Sequence, residues 1–146
     1  MVNPISCLII YSLFTCAFMS SRNGEFVFKN RILIIQSHES QSLWFSESLK
    51  KDLLERKLLV FHFDEGFLVE SNFKGDLDTA DFLKLIPEKA DHSPAWVLVG
   101  LDGGVKNSGH SIPSPGEIFR IIDAMPMRQS ERLKKGNQDN SSNNWQ

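Results

Sequence analysis

The chain has 146 residues, a formal net charge of -2 and 41% hydrophobic side chains, which is the length and make-up of one globular domain. Charge this close to neutral gives no general pull toward nucleic acid or an anionic membrane surface. The eleven Phe residues sit mostly inside apolar runs, as core does, rather than interleaved with a basic stripe as in a nucleic-acid reader.

Ile5–Met19 (ISCLIIYSLFTCAFM) carries no charge. It is shorter than the roughly 18–20 apolar residues that span a bilayer and matches the apolar core of an export signal. Thr15 and Ala17 are small residues at the -3 and -1 positions of a cut after Ala17, so residues 1–21 are read as a signal peptide removed near 17–21. No Lys or Arg precedes the run, and only the α-amino group supplies positive charge there. A buried N-terminal element, an uncleaved anchor and a lipoprotein signal modified at Cys16 are the other readings. Cys7 and Cys16 both lie in this stretch, so its removal leaves a mature chain without thiol, disulfide or cysteine metal ligand.

Glu25–Lys29 (EFVFK) alternates polar and apolar and predicts a short edge strand. Arg31–Ser37 (RILIIQS) is a β-branched apolar run suited to a strand buried on both faces. Ser37–Ser42 offers helix caps. Phe45, Leu49 and Leu53 then recur every four residues, which predicts a helix with one buried face ending near Glu55. Lys57–Phe63 (KLLVFHF) predicts a second strand, and Asp64–Gly75 a loop or loose hairpin. Asp78 or Thr79 caps a short helix burying Phe82, Leu83 and Ile86, and Pro87 stops it. Ala95–Leu101 (AWVLVGL) is the third strong strand. Asp102–Gly103–Gly104 supplies a tight turn, and Val105–Lys106 starts an antiparallel return. At Ser114–Glu117, Ser caps, Pro takes the first helical position and Glu follows three after the cap. Ile118, Phe119, Ile122 and Met125 share one face of that helix, which Pro126 ends. From Arg128 onward the chain is charged and then rich in Asn, Ser and Gln, so residues 133–146 are read as a disordered polar tail.

Strands joined through helices imply parallel pairing with right-handed crossovers. The expected fold is therefore α/β, a mixed central sheet with helices on both faces, over residues 25–132.

This order of elements resembles the thioredoxin plan. Ser93–Pro94–Ala95 resembles the thioredoxin segment in which a cis proline precedes a strand and a glycine turn, which implies a cis bond at Pro94. The segments Phe28–Ile35 (FKNRILII), Leu53–Phe61 (LLERKLLVF), Leu98–Lys106 (LVGLDGGVK) and Ile122–Glu131 (IDAMPMRQSE) resemble a family known as domain of unknown function 4174, or P-DUDES. That resemblance implies a fold shared with thioredoxins and peroxiredoxins. It also implies export, because the family occurs in bacterial exported proteins and at the end of sushi-repeat extracellular-matrix proteins. It implies no particular activity.

Thioredoxin-like enzymes place their nucleophilic Cys after the first core strand, at a helix N-terminus that lowers the thiol pKa. Here that stretch is Ser37–His38–Glu39–Ser40–Gln41–Ser42. Serine cannot replace a thiolate, and dithiol exchange needs two sulfurs, so no catalytic residue is assigned. The stretch reads as a capping loop, with a polar binding rim of Ser37, His38, Glu39, Pro94 and Arg128 as the functional alternative. Neighbouring Ser, His and Glu seldom converge as a triad, and no Gly-x-Ser-x-Gly elbow occurs. On the thioredoxin plan His38 and His92 flank one end of the sheet and, with Glu39, offer metal ligands, but no H-x-x-x-H or HExxH spacing supports them. His110 reads as a solvated loop histidine. His62, between Phe61 and Phe63, points to the face opposite theirs as a hydrogen-bonded or half-exposed strand residue. Asp123 and Arg128 read as an ion pair fixing the helix exit, or as an anion or partner contact through Arg128.

The expected function is an exported, non-catalytic interaction module with a protein partner. No cofactor, metal, nucleic acid or, once the leader is cut, membrane is expected. The alternative is a non-thiol enzyme, metal-assisted or of antioxidant type.

Overall fold

The computed structural model describes residues 29–75, 80–86 and 95–142. The leader with Cys7 and Cys16, the strand expected over Glu25–Lys29 except for Lys29 itself, the stop at Pro87, His92 and Pro94 lie outside those residues.

Five strands form one mixed sheet: β1 (Arg31–Gln36), β2 (Leu58–Asp64), β3 (Phe67–Ser71), β4 (Ala95–Val99) and β5 (Val105–Gly109). Their spatial order is β3-β2-β1-β4-β5. β1 runs parallel to β2 and antiparallel to β4, and β3 and β5 add antiparallel edges. The central strand is apolar at nearly every position because both its faces are covered, and Ile32–Ile35 are all buried. The arrangement is consistent with a thioredoxin-like α/β fold.

Helices cover both faces, as the sequence requires. A 3-10 turn (Ser42–Phe45), α1 (Glu47–Glu55) and α3 (Pro115–Asp123) lie on one face. There Trp44, Leu53, Ile118 and Ile122 pack on Leu33, Ile35, Val60, Trp96 and Leu98. The helix expected from the Phe45, Leu49 and Leu53 repeat is thus split at Ser46, whose extended backbone caps α1. Trp44 meets Phe119 edge-on at 6.1 Å and donates its indole N–H to the Pro113 carbonyl at 3.3 Å, so its one polar atom is satisfied where it is buried. The helical turn α2 (Ala80–Leu83) serves the other face. Phe82 stacks on Phe61 there with ring centroids 5.2 Å apart. The capping signal at Ser114 is realised: its hydroxyl accepts the Glu117 N–H at 3.3 Å, and Pro115 fills the first turn.

Two expectations are corrected. β4 was expected to run parallel to its predecessors, and it is antiparallel to β1. The cause is the segment read as a loose hairpin. Asp64–Phe67 is a two-residue turn in which Glu65 (φ 45°) and Gly66 (φ 83°) are both left-handed, the pattern of a type I′ hairpin. It reverses the chain into β3, so the segment carrying α2 joins β3 to β4, which do run the same way. The second correction concerns the tail. Pro126 ends α3 but also opens α4 (Pro126–Ser142), because proline suits a first helical position, and Arg128 and Glu131 are held by partners on β1 and α1.

β3 leaves the sheet at Asn72, whose side chain takes over the ladder: Oδ1 accepts the Val60 N–H at 2.8 Å and Nδ2 donates to the Leu58 carbonyl at 3.0 Å. A bulge interrupts the β2–β3 register between His62 and Phe63, and Phe67 and Val69 stand 77% and 58% exposed on this edge.

Glu65 occupies a left-handed position that costs a residue with a Cβ about 1–2 kcal/mol, less for Asn. Glu65→Asn is therefore expected to raise the free energy of unfolding by about 0.5–1 kcal/mol. Urea titration measures it, and a loss of stability would contradict the type I′ assignment.

Candidate functional site

The sheet has two ends, and the polar side chains of the described residues gather at both. The upper end is where β1 and β2 finish. Ser37 continues β1 by donating its N–H to the Phe63 carbonyl at 2.9 Å. Its hydroxyl accepts the Glu39 N–H at 3.0 Å, a local turn that Ser favours. Gln41, also buried, donates to the Glu39 carbonyl at 3.1 Å. His62 is 3% exposed and its Nε2 lies 3.0 Å from the Ser37 carbonyl. A carbonyl only accepts, so Nε2 carries the hydrogen. His38 Nδ1 approaches Asp64 Oδ1 to 2.6 Å, with both side chains partly exposed. The approach is off-axis, because that Asp64 oxygen has no aligned hydrogen-bond partner. Between Gln36, Ser37, His38, Asp64 and Glu65 there remains a notch of about 20 Å³, room for about one water.

The expected rim is therefore only partly assembled. Ser37, His38 and Glu39 adjoin one another here, and Asp64, which sequence reasoning left out, joins them. Its signal was faint: it closes the second strand opposite the end of the first. Pro94 lies outside the described residues, as does His92, so the proposed His38–His92 pairing does not enter the geometry. Among the described residues no group of three or more His, Cys, Asp or Glu side chains is placed to hold a metal ion. His110 is exposed.

Arg128 is at the opposite end of the sheet, about 20 Å away along the six-residue β1, and is only 4% exposed. Its Nη1 donates to the Glu55 carbonyl at 2.8 Å, its Nη2 to Glu55 Oε1 at 2.7 Å and its Nε to Asp123 Oδ1 at 3.2 Å. The ion-pair reading of Asp123 and Arg128 holds, and it excludes Arg128 from the upper rim. Two further arginines, missed in the sequence, complete this lower cluster. Arg31 is 1% exposed and donates to the Arg56 carbonyl at 2.8 Å and to Glu131 Oε2 at 3.3 Å. Arg56 donates to Asp123 Oδ2 at 2.7 Å and lies 4.4 Å above the Phe119 ring. Arg31 heads an apolar run and reads as a flank. Only the docking of α4 beside β1 turns it inward. Lys57 pairs with the outer oxygen of Glu131 at 3.2 Å.

These contacts set the charge states. The Arg128 hydrogen bond holds the Glu55 carboxyl below its ordinary range. Burial opposes ionisation of Asp123, but hydrogen bonds from Arg56 and Arg128 outweigh it and its pKa is also lowered. For Arg56, the bonds to Asp123 and Asp52 likewise overcome burial and raise its pKa. The arrangement is a clamp: guanidinium forks closing on helix-end carbonyls and carboxylates, with every charge matched.

A family model for a domain of unknown function (DUF4174) matches residues 24–131. The chain belongs to the DUF4174 family. No curated protein and no solved structure matches it. The clamp of this DUF4174 domain is built from segments within the matched span: Arg31, Glu55–Arg56, and Asp123 with Arg128 and Glu131.

Removing one partner of a buried pair typically costs about 3 kcal/mol. Arg128→Ala is expected to cost about that much in chemical denaturation, against under about 0.5 kcal/mol for the exposed Arg132→Ala. The clamp also fixes a pH dependence. The folded pKa values of Glu55 and Asp123 lie below their ordinary 4.5 and 3.8. Their contribution is thus complete above those values and is lost as pH falls through the depressed ones. Urea midpoints measured downward from about pH 6 should drop most steeply below about pH 4, and the drop should be shallower in Asp123→Asn.

Proposed function

We propose that this DUF4174 protein is an exported, non-catalytic binding module that acts through a protein partner. The observation carrying the proposal is the closed upper end of the sheet. Where thioredoxin-like enzymes place a sulfur nucleophile, this chain has Ser37, whose hydroxyl is committed to the Glu39 N–H, beside a notch of about 20 Å³. The sequence supplies no cysteine beyond Cys16, so removal of the leader leaves no thiol at all. Dithiol exchange and thiol-based peroxide reduction both require one.

Two features support a protein as the partner. The β3 edge presents Phe67, Leu68 and Val69 to solvent, and an unpaired strand edge bonds most readily to another extended chain. Export is supported by the leader's length and composition. Among the described residues no helix is long and apolar enough to cross a membrane.

The 2.6 Å contact of His38 with Asp64 favours one second reading, a metal-assisted enzyme of non-thiol type. It requires a third ligand from residues outside those described. Zinc titration followed by the His38 ring resonances separates the readings: tight stoichiometric binding supports the enzyme, and unshifted resonances support the module.

The main test uses the exported protein itself. Mass spectrometry should find a mature N-terminus between residues 18 and 22. The purified protein should turn over neither peroxide nor insulin disulfide. Turnover by a chain shown to lack Cys16 would overturn the non-catalytic reading, and retention of residues 1–17 would overturn cleavage.

A further inference from the structure

A channel of about 320 Å³ lies between the last residues of β3 and α1 with its preceding 3-10 turn. Its floor is apolar, from Trp44, Phe45, Leu53 and Leu54, and Leu54 stands 72% exposed. Its outer wall is Glu70, Ser71, Asn72 and Lys74. Glu70 is opposite His62 in the ladder, two residues along β2 from Val60, so it shares the face on which α1 packs. Phe67, opposite Asp64, is on that face too. β3 is the last strand on this side of the sheet. Among the described residues none pairs with its outer edge, where alternate N–H and C=O groups lack a ladder partner. Edge strands are ordinarily blunted by lysine, proline or short length. Here Phe67, Leu68 and Val69 follow one another, all exposed, and run on into the apolar channel. An edge of this make-up is a surface to be covered.

The charges of the channel decide what covers it. Glu47 and Lys50 meet at 3.5 Å on the exposed side of α1, a pair worth little. Glu70 and Lys74 are exposed and form no ion pair among the described residues. They alternate with Asn72 along the wall. A strand laid beside β3 thus sets one residue against Glu70, the second after it over the apolar floor, and the second after that within reach of Lys74. Opposite charges across strands attract and like charges repel, so the matching pattern is basic, apolar and acidic at alternate positions. A second copy of β3 does not supply it. In a two-fold pairing centred on Val69, Leu68 of each copy faces Glu70 of the other. Lys74 faces Glu70 only in a register centred on Asn72, which pairs each β3 with residues beyond the other's end.

On the reading of the protein as a binding module, we propose that this channel and the β3 edge take one extended segment of the partner protein, added to the sheet as a further strand and carrying a basic, an apolar and an acidic residue at alternate positions. Its backbone bonds to the edge of β3, which supplies affinity. Its apolar side chain packs on Trp44, Phe45 and Leu54, which supplies selectivity.

The test is an NMR titration of the protein with blocked heptapeptides, following the amides of Lys50, Leu54, Glu70 and Ser71. The probes are Thr-Lys-Thr-Leu-Thr-Glu-Thr and the same residues in reverse order, because a strand can join an edge in either direction. One of them is expected to bind with a Kd below about 1 mM. It should bind at least about fivefold more tightly than peptides with Ser for Leu, or with two Lys or two Glu as the charged pair. N-methylation of alternate residues blocks one edge of the added strand, so one of the two alternating sets should abolish binding and the other spare it. Glu70→Lys, at an exposed position, should weaken the Lys–Glu peptide about fivefold and strengthen the two-Glu peptide by a like factor. Leu54→Gln should weaken binding with the urea midpoint nearly unchanged. No binding of either order at about 1 mM, equal binding of the Leu and Ser peptides, or binding untouched by Glu70→Lys would overturn the proposal while leaving the module reading in place. A concentration-dependent dimer that Phe67→Ser disperses would do the same, with a second copy as the occupant. The module reading itself falls only to turnover by the chain lacking Cys16, which the peptide titration does not measure.

Discussion

A guanidinium withdrawn from water must be met by carbonyls and carboxylates in the right plane, or the domain cannot close over it. Arg31 and Arg128 are both withdrawn in this way, and desolvating each ion costs several kcal/mol before any pairing. Their partners are the last carbonyls of α1, at Glu55 and Arg56, and the carboxylates of Asp123 and Glu131. One requirement thus fixes where α1 stops, how α3 exits and where α4 lies against the start of β1. Arginine suits the role better than lysine, because its planar fork bonds two acceptors at once and keeps its charge when buried.

The two ends of the sheet satisfy their polar groups in different ways. At the upper end, backbone and side-chain groups satisfy one another at short range: Ser37 with Glu39, His62 with Ser37, Gln41 with Glu39. The Ser37 hydroxyl and His62 Nε2 are thus engaged within the loop. At the lower end charge is abundant but matched pair by pair. Among the described residues the unmet donors at this end are the buried Nε–H groups of Arg31 and Arg56, whose guanidinium tips are engaged elsewhere.

The direction of β4 shows how one misread strand propagates. The inference that helices join parallel strands is sound, and β3 and β4 obey it. What failed was the reading of Asp64–Gly75, where Glu occupies a turn position usually held by Asn or Gly and so masks the hairpin signal. Missing β3 inverted the sense of everything after it relative to β1. The tail was misread for a related reason. The Asn, Ser and Gln content of residues 133–146 reads as disorder, whereas α4, anchored in its first turns by Arg128 and Glu131, continues to Ser142.

Period and capping chemistry act over a few residues, and what they control could be read directly: the buried strands at Arg31–Gln36, Leu58–Asp64 and Ala95–Val99, the capped helix at Ser114, the turn at Gly103, and two covered faces. The absence of any thiol at the end of β1 was equally plain. Which charged residues are inside was not, because burial of Arg31 or Arg128 depends on partners 25 to 100 positions distant along the chain. The channel between α1 and β3 is likewise a product of assembly. Its walls come from two separated segments, and no local pattern encodes the space they leave between them.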